Sequence, residues 1–278
     1  MIMRVKQTFK FDPDYVVSPG KTIEENIASL GMTKANFARR MGIPIGTLHR
    51  LISSEIPLSV DFALKLEYVT KVPSAFWNAL EAQYRTILSR QTLFQAQEKK
   101  WLRKQPLKVM LERGWISGET DIDRYLSALS FYRVASLSAW ANVWENTLSK
   151  DCIPQKYQNH SPAIAALIRA GEIEAEKIPC KPFSAKAFQN VLVPYRSIKK
   201  QKLSHRKLIA LRKSCAEAGV ALACVRSLDE APLNGATRWL GKNKAMILLT
   251  DTNLTAFFRE AGHVLSERKK KNFLTYLS

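Results

Sequence analysis

Residues 33–54, TKANFARRMGIPIGTLHRLISS, constrain the fold of this chain more than any other stretch. Thr33 reads as an N-cap, and Phe37, Ala38 and Met41 recur at i, i+1 and i+4, one buried stripe of a short helix. Gly42 supplies the left-handed backbone of a tight turn, and Ile43 can plug its corner. Pro44 suits the first turn of a second helix, where its missing N–H costs nothing. On that helix Leu48, Leu51 and Ile52 face a core and leave Gly46, Thr47, His49, Arg50 and Ser53 outward. Helix, glycine turn, helix is the layout whose second helix enters the DNA major groove. An ordinary helical hairpin inside a bundle has the same spacing.

The chain has 278 residues, enough for two domains with cores of their own, and 46% of them are hydrophobic. No run approaches the roughly 18 apolar residues of a membrane span, and the N-terminus lacks a signal-peptide core. Cys152, Cys180, Cys215 and Cys224 are scattered without a Cys-x-x-Cys pair, as expected of reduced thiols. Net charge is +19 and uneven. Residues 1–92 hold 12 Lys/Arg against 8 Asp/Glu, the remainder 31 against 16. Such a surface attracts polyanions at long range, or serves only as a solvated shell.

Along the chain, residues 1–20 read as an extended arm ending in the Ser18-Pro19-Gly20 turn. Ile23, Ile27 and Leu30 mark an amphipathic helix over Lys21–Leu30. After the helix-turn-helix, Ser59 caps a helix burying Phe62, Leu66 and Val69. Pro73 opens another over Ser74–Arg90, with Phe76, Trp77, Leu80, Tyr84 and Leu88 on its apolar side. These make five helices in residues 21–92.

The series SPGKTIEENIASLGMTKANFARRMGIPIGTLHRLI followed by PLSVDFALKLEYVTKVPSAFWNALEAQY resembles the HigA family of antitoxins. Ala63-Leu64-x-Leu66 and Phe76-Trp77…Tyr84 stand at the family's distances beyond the second helix, and the likeness spans residues 15–85. It implies a dimeric DNA-binding antitoxin that represses its own operon and neutralises a co-encoded toxin, a small basic ribonuclease. The departures fall on the reading surface, where Pro44, Ile45 and Gly46 replace polar residues and Lys34 replaces a Gln. Thr47, His49 and Arg50 are left to meet bases or phosphate, with Ser53 further along. Thr33 and Lys34 are placed to hold the phosphate backbone. Thin direct readout leaves shape readout or weak specificity.

Residues 93–130 read as a helical connector, and 131–278 as a second packed unit in which Trp140 and Trp144 form a core stripe. From Arg196 to Lys213 eight Lys/Arg occur without an acidic residue, while Leu203, Ile209 and Leu211 mark an apolar face. The run reads as a second DNA contact, a docking face for an acidic partner, or a solvated helix. Past Gly219, Ala221–Val225, Thr237–Leu240 and Ala245–Leu249 read as strands, and a helix follows from Thr252.

That last helix carries FFREAGHVL in the frame of a zinc-peptidase helix, which needs two His at i and i+4 and a Glu after the first. Arg259 occupies the first ligand place and offers no lone pair, while Glu260 and His263 keep the base and second-ligand places. With LNGATRWLGKNKAMILLT upstream, residues 101–273 resemble the ImmA/IrrE-type metallopeptidases. The segment 250–253 is shorter than the family's, and the sequence stops at Ser278, whereas those enzymes draw a further acidic ligand from residues beyond the helix. One ligand of three implies a degenerate, inactive fold with no cofactor and no resident metal. A replacement site of Glu260, His263 and Glu267 competes with a plain surface helix.

The fold class expected is mainly α: a five-helix lambda-repressor-like helix-turn-helix domain, then a helical and small α+β zincin-like domain. The expected partners are double-stranded operator DNA, a cognate toxin and a second copy of the chain, in the cytoplasm and away from membranes. The +19 charge sits awkwardly with a basic toxin. A stand-alone regulator whose second domain senses a ligand or phage protein is the alternative reading, and an active zinc peptidase the remote one.

Overall fold

The computed structural model describes residues 17–145, 161–198, 204–229, 231, 233–266 and 273–276. It divides into two compact units, Met1–Phe94 and Gln95–Ser278. Among the described residues no helix is long and apolar enough to cross a membrane.

The first unit is five helices: α1 Pro19–Ser29, α2 Lys34–Arg40, α3 Ile45–Ile52, α4 Val60–Thr70 and α5 Ser74–Leu93. Ser18, Thr33 and Ser59 cap α1, α2 and α4 by accepting from the N–H groups of Lys21, Asn36 and Phe62. Ile23, Ile27, Phe37, Met41, Leu48, Leu51, Leu66 and Trp77 close into one core. Glu67 reaches across Pro73 to accept the Ser74 N–H at 2.5 Å, tying α4 to α5. Hydrogen bonding from Ser74 holds its carboxyl below the usual range.

Two expectations for this unit change. Pro19 and Gly20 form the buried first turn of α1 and do not close an arm. Ser18 has extended backbone and a capping side chain, and Pro at the helix start has no N–H to satisfy. Phe76 is 47% exposed although Trp77 is fully buried, because the core side of α5 has room for only one of the neighbouring rings. Residues 1–16 lie outside the described residues.

The second unit begins with α6 Ala96–Lys104, α7 Leu107–Glu112, α8 Asp121–Tyr132, α9 Leu137–Trp140 and a π-helical turn at Ala141–Glu145. Its chain continues through α10 Ser161–Glu176, α11 Ala185–Leu192, α12 His205–Glu217 and α13 Leu254–Ser266. Of residues 93–130, which read as a connector, those from Gln95 onward belong to this unit and supply part of its core. Trp101 meets Tyr125, Tyr132 and Trp140 edge-on at 5.8, 6.2 and 5.5 Å.

The sheet has the order β1-β3-β2-β4, from β1 Val220–Cys224, β2 Leu233–Gly241, β3 Lys244–Leu249 and β4 Phe273–Tyr276. β1 and β3 are parallel, while β2 runs antiparallel to β3 and to β4. The sequence pattern shows three of these strands and misses β4. On one face Val220, Leu222, Ala245, Ile247 and Leu249 pack with Phe188, Leu211, Phe257, Ala261 and Val264 of α11, α12 and α13. The alternate residues include Leu248, which lies against Gly171 of α10. Ile209, expected on the apolar face of α12, is 54% exposed; Leu208, Leu211 and Cys215 make that face. Leu203 lies outside the described residues.

Charge is buried where α8, α10 and β2 meet. Arg169, 4% exposed, donates to the Phe131 carbonyl at 2.7 Å and to Glu172 at 2.7 Å. Glu172 also pairs with Arg238 at 2.9 Å, and Arg238 lies 4.7 Å from the centre of the Trp144 ring. Arg133 grips Glu176 with both terminal nitrogens, at 2.9 and 2.7 Å. Removing Glu172 would leave the buried Arg169 with only the 3.3 Å contact to Glu176 as an ion pair, whereas Arg133–Glu176 is an exposed pair.

Candidate nucleic-acid interface

The turn between α2 and α3 follows from backbone chemistry. Gly42 has φ +65°, a conformation that costs most residues a steric clash with Cβ. Ile43 bonds back to the Ala38 carbonyl at 3.1 Å and packs against the core. Pro44 stands just before α3, and the N–H groups of Thr47 and Leu48 bond to its carbonyl. The far end of α3 is fixed from below by α1. A Cβ on Gly20 would lie 1.9 Å from the Ile52 carbonyl oxygen, so only glycine lets the two backbones approach this closely.

This frame exposes Gly46, His49, Arg50 and Ser53 on one side of α3, with Thr47 half-buried. Thr33 is exposed and its hydroxyl is occupied as the α2 cap, accepting the Asn36 N–H at 3.2 Å. Lys34 is half-buried and donates to Glu24 at 2.5 Å. Arg50 stands 3.8 Å from Glu55, and Ser53 bonds the same carboxylate at 2.9 Å. Both basic side chains singled out in the sequence thus have an acidic neighbour in an exposed pair, which contributes at most about 1 kcal/mol. Arg39 and Arg40 are also exposed, at the end of α2. Their signal was present as adjacent cations on the polar side of that helix.

A further exposed surface belongs to the same unit. Val60, Leu64 and Tyr68 recur at i, i+4 and i+8 along α4, 66%, 40% and 71% exposed, and Phe76 stands bare at the start of α5.

The broken peptidase motif in the second unit is arranged differently. On α13, Phe257, Ala261 and Val264 make the stripe packed on the sheet, and Glu260 lies on it with no exposure at all. The plain surface helix expected for residues 260–267 is therefore corrected at its first member. Glu260 accepts the Thr237 hydroxyl of β2 at 2.6 Å. Gly235 makes the room, since a Cβ there would meet Glu260 Cγ at 3.0 Å. Arg259 faces solvent and His263 is half-buried. Glu267 lies outside the described residues, among which no three His, Cys, Asp or Glu come together as metal ligands.

No family model and no curated protein matches the chain. A solved structure from Nostoc punctiforme PCC 73102, described as an antidote protein of a plasmid maintenance system, is similar over 27% of this chain and 84% of its own. The identity is 24% and the TM-score 0.27, so the functional reading rests on the geometry above.

Proposed function

We propose that the chain is a DNA-binding antitoxin, acting in the cytoplasm as a homodimer that represses its own operon and neutralises a co-encoded toxin. The observation that carries this reading is the exposed face of α3, with Gly46, Thr47, His49, Arg50 and Ser53 held on a glycine turn. Thr33 and Lys34 supply the phosphate-positioning end of α2, and Arg39 and Arg40 add charge beside it. The bare α4 stripe fits self-association, which a palindromic operator demands of a helix-turn-helix protein. The resemblance to HigA antitoxins supports the toxin partner, and the second unit is read as a peptidase-like fold without hydrolytic activity. Mobility shifts on the chain's own promoter across a salt series test DNA binding. Absence of a shift at low salt overturns it. Co-expression with the neighbouring reading frame separates an antitoxin, which rescues growth, from a stand-alone regulator, which does not.

A further inference from the structure

The second unit holds a cavity of about 570 Å³ beside the carboxyl end of β1. Cys224 ends that strand, and Val225 and Arg226 follow it into the cavity wall. β1 and β3 form the sheet's parallel pair, and in mostly parallel open sheets the crevice outside the strands' carboxyl ends is a frequent ligand position.

The wall draws on separated stretches of the unit, residues 113–131, 170–177 and 224–226. Arg113, at the end of α7, donates to the carbonyls of Arg226 and Ser227 at 2.6 and 2.8 Å, pinning the chain as it leaves β1. Its guanidinium lies 5.2 Å from the centre of the Trp115 ring. Trp115 stacks on Phe131, centres 5.7 Å apart and planes within 11°. Ile173 of α10 and Val225 extend the apolar lining.

The charge in this lining is unbalanced. Lys177 and Glu174 neutralise each other at 2.7 Å, which leaves the guanidinium groups of Arg113 and Arg226. Neither makes a carboxylate ion pair among the described residues. Burial, and then the positive charge of Arg226, hold Arg113 below the usual arginine range, partly offset by Asp229 and Glu112. An anion placed between two like charges relieves their repulsion; Arg113's terminal nitrogens already hold the carbonyls of Arg226 and Ser227, so Arg113 contributes charge and Arg226 the guanidinium fork, which matches phosphate and carboxylate alike.

We propose that this cavity binds a small anionic molecule with a flat aromatic body, its acidic group meeting Arg226 and Arg113 and its ring lying along Trp115, Phe131 and Ile173. The assignment is independent of DNA binding, since every residue named lies in the second unit and the test reads ligand binding directly.

Calorimetric titration of the full chain with two probe series tests it. The four common nucleoside 5′-monophosphates supply phosphate, and 2-naphthoate and indole-3-acetate supply carboxylate. One series is expected to bind at one site per chain with Kd below a millimolar, and the series that binds identifies the acidic group. Arg226→Gln should weaken that binding at least tenfold. Arg113 bonds the backbone carbonyl at position 226, so this substitution leaves the wall's anchoring intact. Trp115→Leu, with its unfolding midpoint compared with that of the parent protein, should likewise weaken whichever series binds, since every probe carries an aromatic ring. No saturable binding by either series overturns the proposal, as does binding that Arg226→Gln leaves unchanged.

Discussion

The helix-turn-helix of the first unit and residues 257–265 of the second are both short motifs on helices, and the fold treats them in opposite ways. Around α3 the frame presents its polar residues to solvent, and the buried positions are the apolar ones that the spacing indicates. On α13 the polar residue that would do chemistry is drawn inward. Glu260 occupies a position on the packed stripe, with Thr237 donating to it and Gly235 giving it space. A motif within one helix therefore reveals its own frame. Whether its side chains face solvent depends on partners far along the chain.

The sharpest way to break the first half of this contrast is Gly20→Ala. The added Cβ collides with backbone at Ile52, and overpacking of this kind costs roughly 3 kcal/mol. Denaturant unfolding and hydrogen exchange of the α3 amides should both report the loss, and an unchanged midpoint would mean that α1 does not fix α3. For α13 the corresponding change is Thr237→Val, which takes away the hydroxyl that Glu260 accepts. A destabilisation of about 2 kcal/mol is expected, with Thr237→Ser close to the parent protein. Equal stability of the valine variant would show that the buried carboxylate does not depend on β2.

Smaller effects test the surface of the contrast. Arg50→Ala should weaken operator binding about tenfold and make it less salt-dependent, without lowering stability. Glu55→Gln removes the acidic neighbour of Arg50 and should tighten binding by about twofold, the scale of an exposed pair. Arg259→His, which restores the missing letter of the peptidase motif, should change neither stability nor zinc content. Position 259 faces solvent while Glu260 lies against the sheet, so three ligands do not converge there. Stoichiometric zinc in that variant, measured by elemental analysis, would contradict the packing described.

The first unit was legible because its determinants are local. Ser18, Thr33 and Ser59 stand just before their helices, Gly42 stands at its turn, and the apolar spacing of residues 37–51 is the spacing of the core. The misses there come from competition, as where Trp77 takes the interior and Phe76 is left outside. The second unit was less legible because its organisation is long-range. Trp101 joins Tyr132 and Trp140 from what reads as a connector, and Arg133, Arg169 and Arg238 share Glu172 and Glu176 across 105 positions. No periodicity within one helix or strand encodes that arrangement. The charge imbalance at Arg113 and Arg226 was equally hidden, since those residues are brought together only by the fold.

The contact between Gly20 and Ile52 also has a practical side. It places the first turn of α1, and the chain entering it through Ser18, beside the carboxyl end of α3. A bulky group introduced at Val17 therefore sits next to the helix proposed for the DNA groove. Such a group is expected to depress operator affinity for purely steric reasons, and its removal should restore it.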